Sequence, residues 1–505
     1  MDAGAFFGAF AAAFGALLDP GVLLAILVGT LFGLVVGAIP GLGSLMGIAL
    51  LVPFTFGMET TTAIVLLTAV KGGSNFGGSI TAILINTPGQ PPSAATLLDG
   101  YPMAKNGEAG RALGASATAS VSGAVIGILV LVVTVPVMRE VVLWFGSPEV
   151  FWLGVWGLTF IAVVVRGSVV SGLISAGLGL LVALHGASQL TAQERWTYGL
   201  LELYDGFHLV PVLVGLFAIA EMMDLVLEGG TISDDDESSD VIGAKWQGVK
   251  DVFVNKFLLL RSGAIGSLIG IIPGVGGTTA TYVSYFQAAQ TASDSESFGS
   301  GDVRGVIASE AANDAKDGAA FIPTLALGIP GSAAMAVLLG ALVLHGIQPG
   351  PALVQDHLDV IVLVVMALLV SNVLTSVIGL AVIDHLARIA RIDVDVLAPI
   401  VVVFSYVGTY VASNSVFSVL VTFLFGLVGF LMIRADVSRV PMILAVVLAP
   451  IVEINFFRSL ASSDSGALVF VQSPISMVLC LLVVASLLLP VVRPTLADRS
   501  EVVDR

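Results

Sequence analysis

Apolar positions in this chain neither alternate nor recur at helical spacing; they run on without leaving a polar face. Stretches such as 22–39, 124–135, 358–383, 416–433 and 475–492 approach or exceed the ~18–20 apolar residues that cross a bilayer. In lipid, such a run predicts a helix, because a helix satisfies its own backbone hydrogen bonds. The pattern as a whole predicts an all-α, polytopic membrane protein with about ten to twelve transmembrane segments. The earliest run, 5–18, is short, rich in Gly and Ala, and lacks the positive flank of a signal peptide. Residues 1–19 are therefore read as an interfacial or re-entrant helix.

Two apolar runs end in the same unusual way, "GAIPGLG" at 37–43 and "GIIPGVG" at 270–276. Aligning Pro40 with Pro273 also pairs Gly37 with Gly270, Ile39 with Ile272, Gly41 with Gly274 and Gly43 with Gly276. Further on, "ITAILINTPG" (80–89) meets "IPTLALGIPG" (322–331), and "SVVSGLISAGLGLL" (168–181) meets "SVFSVLVTFLFGLV" (415–428). Near each half's end a Val-Pro pair (210–211, 440–441) precedes an acid, Glu221 or Glu453. Matches in one order predict an internal repeat. The first transmembrane repeat spans 20–228 and the second 258–492, joined by an acidic polar linker, 229–257, and followed by a polar tail, 493–505. Lys245, Lys250, Lys256 and Arg261 lean the linker towards the cytoplasm. An odd number of crossings in each half would make the repeats inverted, a common plan of secondary transporters.

Gly and Pro interrupt the apolar runs at corresponding places in both halves: 37–44 and 72–89, then 270–279 and 322–332. A broken helix frees N–H groups at one new end and carbonyls at the other. The first end favours a carboxylate; the second suits a hard cation. Candidate substrate-binding positions are therefore Pro40, Gly41, Gly43 and Ser44, then Asn86, Thr87, Pro88 and Gly89. In the second half they are Pro273, Gly274, Gly276, Thr278, Pro330, Gly331 and Ser332. The glycines admit a second reading, close helix packing in the membrane. Lys71 and Asn75 join the substrate set. Lys71 is either a counter-ion to an anion or a lysine snorkelling to the interface. Glu310, Asn313 and Asp317 share one helical face. With Gly77 and Gly78, Glu310 and Asn313 mark a candidate coupling-cation site, the alternative being a solvated helix start.

Composition agrees with a membrane chain: 57% of the 505 residues are hydrophobic, 11% are charged, and mean hydropathy is +1.02. The net charge of −16 would repel an acidic substrate; it reads instead as a surface suited to high salt, that of a salt-adapted prokaryote. With no basic patch, nucleic acid is not an expected partner. Cys480, the single cysteine, excludes a disulfide within one chain. An enzyme is not expected: HExxH, GxSxG and GxxxxGK[ST] patterns are missing and the five histidines do not cluster.

The segments "GGSITAILINTPG", "SAATLLDGYPMAKNGEAGRAL", "ASEAANDAKDGAAFIPTLALGIPGSAAMAVLLGALVLHGIQPGP", "FGSPEVFWLGVWGL" and "FRSLASSDSGALVF" resemble the large membrane subunit of tripartite tricarboxylate transporters over nearly the whole chain. The resemblance implies a multi-pass cell-membrane protein for secondary active uptake of small carboxylates, tricarboxylate or dicarboxylate. It implies two partners, a small membrane subunit and an extracytoplasmic solute-binding protein. No cofactor is implied; the coupling ion is expected to be Na⁺, with H⁺ second. Residues carried by matching motifs are Pro40, Gly41, Gly43, Gly77, Gly78, Asn86, Pro88, Gly89, Asp99, Gly100, Pro273, Gly274, Gly276, Glu310, Asn313, Pro323, Pro330 and Gly331. One departure is "VKGGSNFGGS" (70–79), where relatives carry tyrosines, so Lys71 and Asn75 bear on substrate choice. The alternatives are a passive anion channel and a transporter of a different small organic anion.

Overall fold

The computed structural model describes residues 3–142, 144–164, 169–188, 193–228, 245–273, 275–382, 394–463 and 466–503. Among them the only strands are Gly186–Ala187 and Glu194–Arg195, paired antiparallel; nearly all the rest is helix. The first half holds α1 (Ala3–Leu17), α2 (Pro20–Ala38), α3 (Gly43–Leu51), α4 (Thr60–Ile85), α5 (Ala94–Lys105), α6 (Ala109–Val142), α7 (Ser147–Val164) and α8 (Val169–Ala183). It ends with α9 (Leu209–Leu227), which carries a π turn at Gly215–Ile219. The second half holds α10 (Lys245–Val254), α11 (Lys256–Ile271), α12 (Gly276–Thr291), α13 (Val303–Phe321), α14 (Ala333–Leu344), α15 (Pro351–Asp356) and α16 (Leu358–Ala381). After it come α17 (Val394–Ser413), α18 (Val416–Arg434), α19 (Val440–Ala461), α20 (Val469–Gln472) and α21 (Pro474–Val503).

The breaks have local causes. Asp19 starts α2 by accepting from the amides of Gly21 (2.7 Å) and Val22 (3.3 Å), with Pro20 in the first turn. Pro40 and Pro273 end α2 and α11, since proline drives the preceding residue out of the helical region. Ile39 sits at φ −90°, ψ 114° and Ile272 at φ −81°, ψ 113°. Gly43 (φ +60°) and Gly276 (φ +78°) then open α3 and α12 from a left-handed backbone. The later breaks match as well. Asn86 (φ +54°) and Gly328 (φ +70°) are left-handed caps, each amide reaching back to Thr81 or Pro323.

Glycine stripes set the packing. Gly29, Gly33 and Gly37 on α2 lie against the carbonyls of Leu66, Val70 and Ser74 on α4; Gly266 and Gly270 on α11 meet Ala312 and Lys316 on α13. Gly123 and Gly127 of α6 meet Ala311 and Ala315. A Cβ on any of the seven would lie 2.2–2.4 Å from a carbonyl oxygen, so only glycine allows this approach. Val70 with Ala312, Ser74 with Lys316, and Asn86 with Gly328 share one sequence offset. That offset also pairs Lys71 with Asn313, Asn75 with Asp317, and Pro88 with Pro330.

The packing between halves is reciprocal. First-half α6 covers α11 and α13, while second-half α16 covers α2 and α4. Helices α7 and α8 pack on α19; α17 and α18 pack on α9. The turn Pro91–Ser93 touches α12, and α14 touches α3.

Seven helices among the described residues are long and apolar enough to span, and two bent pairs, at Lys245–Ile271 (80°) and Gly466–Leu488 (88°), raise this to nine. That is fewer than the ten to twelve expected. Gly43–Thr55, Val169–Ala183 and Ala333–Leu344 are apolar but short, and α13 is polar along a buried face. The interruption expected across 72–89 is confined to its end: α4 runs unbroken from Thr60 to Ile85. Of the linker expected at 229–257, residues 229–244 lie outside the described residues. From Lys245 the chain is helical, and Arg111 holds Asp251 of α10 at 2.5 Å. The expected tail at 493–505 continues α21 as far as Val503. Helix α1 forms and buries Ala13 and Leu17.

Gly33→Val is expected to lower thermal stability by about 1–3 kcal/mol or more, as overpacking does. Gly177→Val on α8, where an added Cβ meets nothing within 4 Å, is the control expected to leave the melting temperature unchanged.

Candidate functional site

Apart from Arg304, every residue of α13 is buried, yet it carries Glu310, Asn313, Asp314, Lys316 and Asp317. A helix buried all round is normally apolar, so each of these groups needs a partner. Helix α4 supplies most of them. Lys71, 2% exposed, places its ammonium against Asp317 Oδ2 and, at 3.1 Å, Asn75 Oδ1. Asn75 Nδ2 donates to Asp314 Oδ1 (2.8 Å) and Asp317 Oδ2 (2.6 Å), and Gln90 Nε2 donates to Asn75 Oδ1 (2.9 Å). Lys316 closes on Asp317 Oδ1. Glu310 accepts from Ser79 (2.7 Å), Ser120 (3.0 Å) and Thr96, one hydroxyl each from α4, α6 and α5. Asn75 and Asp317 touch each other, so the cluster joins α4 of the first half to α13 of the second.

Three carboxylates and two ammonium groups therefore share one buried cluster, with Asp317 between both lysines. Some polar atoms there have no partner: both side-chain atoms of Asn313 and Asp314 Oδ2. Buried polar atoms are rarely left so, and each costs about 1–3 kcal/mol.

The breaks border this centre. The Gly89 amide donates to Gly78 O at 3.2 Å, and Gly43 faces the Gln90 side chain. A Cβ on Gly277 would lie 2.8 Å from both Lys316 Nζ and Pro92 Cγ. The bare glycine thus leaves the lysine room at the first turn of α12.

Comparison with known proteins gives the architecture a family. The sequence profile described as tripartite tricarboxylate transporter TctA family matches residues 23–444. The chain belongs to that family. One relative, an uncharacterised 52.8 kDa protein of the TAR-I ttuC' 3' region of Agrobacterium vitis, is 35% identical over 461 residues, 90% of this chain and 89% of the relative. Another, an uncharacterised protein of the TAR-II ttuC' 3' region of the same organism, is 33% identical over 211 residues, 42% of this chain and 87% of its own length. No solved structure matches. Membership makes this multi-pass membrane protein the large subunit of a tripartite tricarboxylate transporter.

Within this TctA-family fold the sequence-predicted residues divide. Lys71, Asn75 and Glu310 come together in the centre, and Asn313 is buried on the same helix, α13. Gly77 and Gly78 lie inside α4, against Leu34 O and the Gln90 and Ser93 side chains, where they serve packing. Gly43, Ser44, Gly89 and Gly276 line the breaks, and Pro273 is buried beside them. Asn86 caps α4, Thr87 Oγ1 bonds Ile85 O (3.1 Å), and Thr278 O accepts from Thr281. Gly41 faces Leu225 of α9. Pro330, Gly331 and Ser332 open α14: Gly331 N donates to Thr324 Oγ1 (3.2 Å) and Ser332 caps the helix. Gly274 lies outside the described residues. Asp99 clamps the loop before α13, accepting from the amides of Gly299 (2.8 Å), Gly301 (2.9 Å) and Asp302 (2.8 Å) and from Tyr285 (2.8 Å). Glu221 and Glu453 pair with Arg439 (2.8 Å) and Arg195 (3.0 Å), each across to the other half. The residues sequence reading missed are Lys316, Gln90, Thr96 and Ser120, which carry no sequence signal of their own.

Breaking a buried pair from one side costs about 3–5 kcal/mol. Lys71→Met is expected to lose that much, and Asp317→Asn more, because it strands two ammonium groups. Thermal unfolding in detergent checks the order of the two.

Proposed function

We propose that this subunit carries small di- or tricarboxylates through the region between α4 and α13, its halves forming inverted repeats, driven by a cation gradient. The observation that carries the reading is the buried polar centre, bordered by helix starts and holding unpartnered Asn313 and Asp314 atoms. Amides in the first turn of α12 present partial positive charge, and Lys316 beside Gly277 adds a full one. Together they suit a carboxylate. Family membership supports a small membrane subunit and an extracytoplasmic binding protein as partners. The acidic surface supports work at high salt.

Proteoliposomes with all three components are expected to accumulate labelled carboxylate above equilibrium under an inward cation gradient. Gly277→Val, which pushes Lys316 from the α12 start, is expected to reduce that uptake by about tenfold or more, the equivalent of ~1.4 kcal/mol of lost binding. Equilibration that ignores the gradient would instead mean a passive channel.

A further inference from the structure

Most oxygen atoms of the centre are taken, Asn313 Oδ1 and Asp314 Oδ2 being the two left without a partner. Asp317 Oδ2 and Asn75 Oδ1 both face the Lys71 ammonium, Asp317 Oδ1 faces Lys316, and Asp314 Oδ1 accepts from Asn75. Both Glu310 oxygens accept from hydroxyls. A hard cation asks for a shell of free oxygens, and among the described residues no group of three or more acids, histidines or cysteines is placed to hold a metal ion. On Asp317 Oδ2 and Asn75 Oδ1 a free sodium ion finds the position already filled. What stands on its oxygens is a primary ammonium: one carboxylate oxygen and one amide oxygen on Lys71, both oxygen types that hard cations choose. Lysine in the bilayer costs about 2.5–3.5 kcal/mol on insertion scales, so its burial here has to be compensated by these contacts.

We infer that Lys71 is a built-in counter-cation: its ammonium, tethered to α4, takes the place of a free sodium ion between the halves and makes sodium unnecessary there. The inference rests on the transport reading for its purpose, but its test needs no substrate. Something that binds only the folded state raises its stability by mass action. The full chain, purified in detergent, is melted in NaCl and in choline chloride at equal ionic strength. Wild type is expected to melt within about 1 °C in the two salts. Lys71→Ala, which opens the position, is expected to melt lower in choline and to regain about 3 °C or more with sodium. Lys71→Met, which fills the space without charge, is expected to stay low in both. A sodium-specific rise in wild type would overturn the inference, and so would a Lys71→Ala protein indifferent to sodium. The wild-type comparison stands even if a variant does not fold. Failure of carboxylate uptake would be a separate result, since no carboxylate enters this measurement.

Discussion

The contact between Lys71 on α4 and Asp317 on α13 is the constraint from which the arrangement of this protein follows. Neither residue can be left alone in the bilayer, because desolvating one unpaired charge costs several kcal/mol. Their pairing fixes the height at which the two helices meet. Once that height is set, Asn75 lies on Asp314 and Asp317, and Ser79 lies on Glu310. Glu310 in turn draws in α5 and α6 through Thr96 and Ser120. One buried ion pair thus sets the register of four helices.

That register also needs backbones close enough for short side chains to reach. The glycine stripes of α2, α11 and α6 provide this by laying bare Cα atoms on the carbonyls of α4 and α13. Without water between them, packed backbones gain dispersion energy that lipid does not match, since tails are as apolar as Leu. The proline breaks do a different task. They end α2 and α11 beside the centre, where α3 and α12 begin with free amides. The same residue type, glycine, therefore serves packing at Gly33 and Gly270 and a left-handed helix start at Gly43 and Gly276.

Long apolar runs made the helical class legible from sequence, since it depends on local pattern. The Pro40 and Pro273 breaks were legible for the same reason. The glycine-rich 72–78 segment misled, because glycine marks either a break or a close approach, and only the partner helix decides which. In α4 the partner is α2, and the helix continues. The centre was half legible. Lys71 announced itself as a charge in an apolar run, but its partner Asp317 sits far along the chain. Lys316, next to it, carries no sequence signal of its own. Asp314 and Asp317 look like a solvated face until α4 and α6 are known to cover them.

The ties between the halves differ in strength from centre to rim, and this ranks the motions open to the fold. Glu221–Arg439 and Glu453–Arg195 also cross between halves, but their side chains are 17–29% exposed. Pairs of that kind contribute about 0–1 kcal/mol. Parting α4 from α13 would instead strand Lys71 and leave Asp317 with Lys316 alone, at about 3–5 kcal/mol for the broken Lys71–Asp317 pair. A movement that shifts α8 and α19 or α9 and α18 against the middle leaves the Lys71–Asp317 pair intact. The pairs α2–α4 and α11–α13 therefore stay together as one body whichever way the outer helices shift around them.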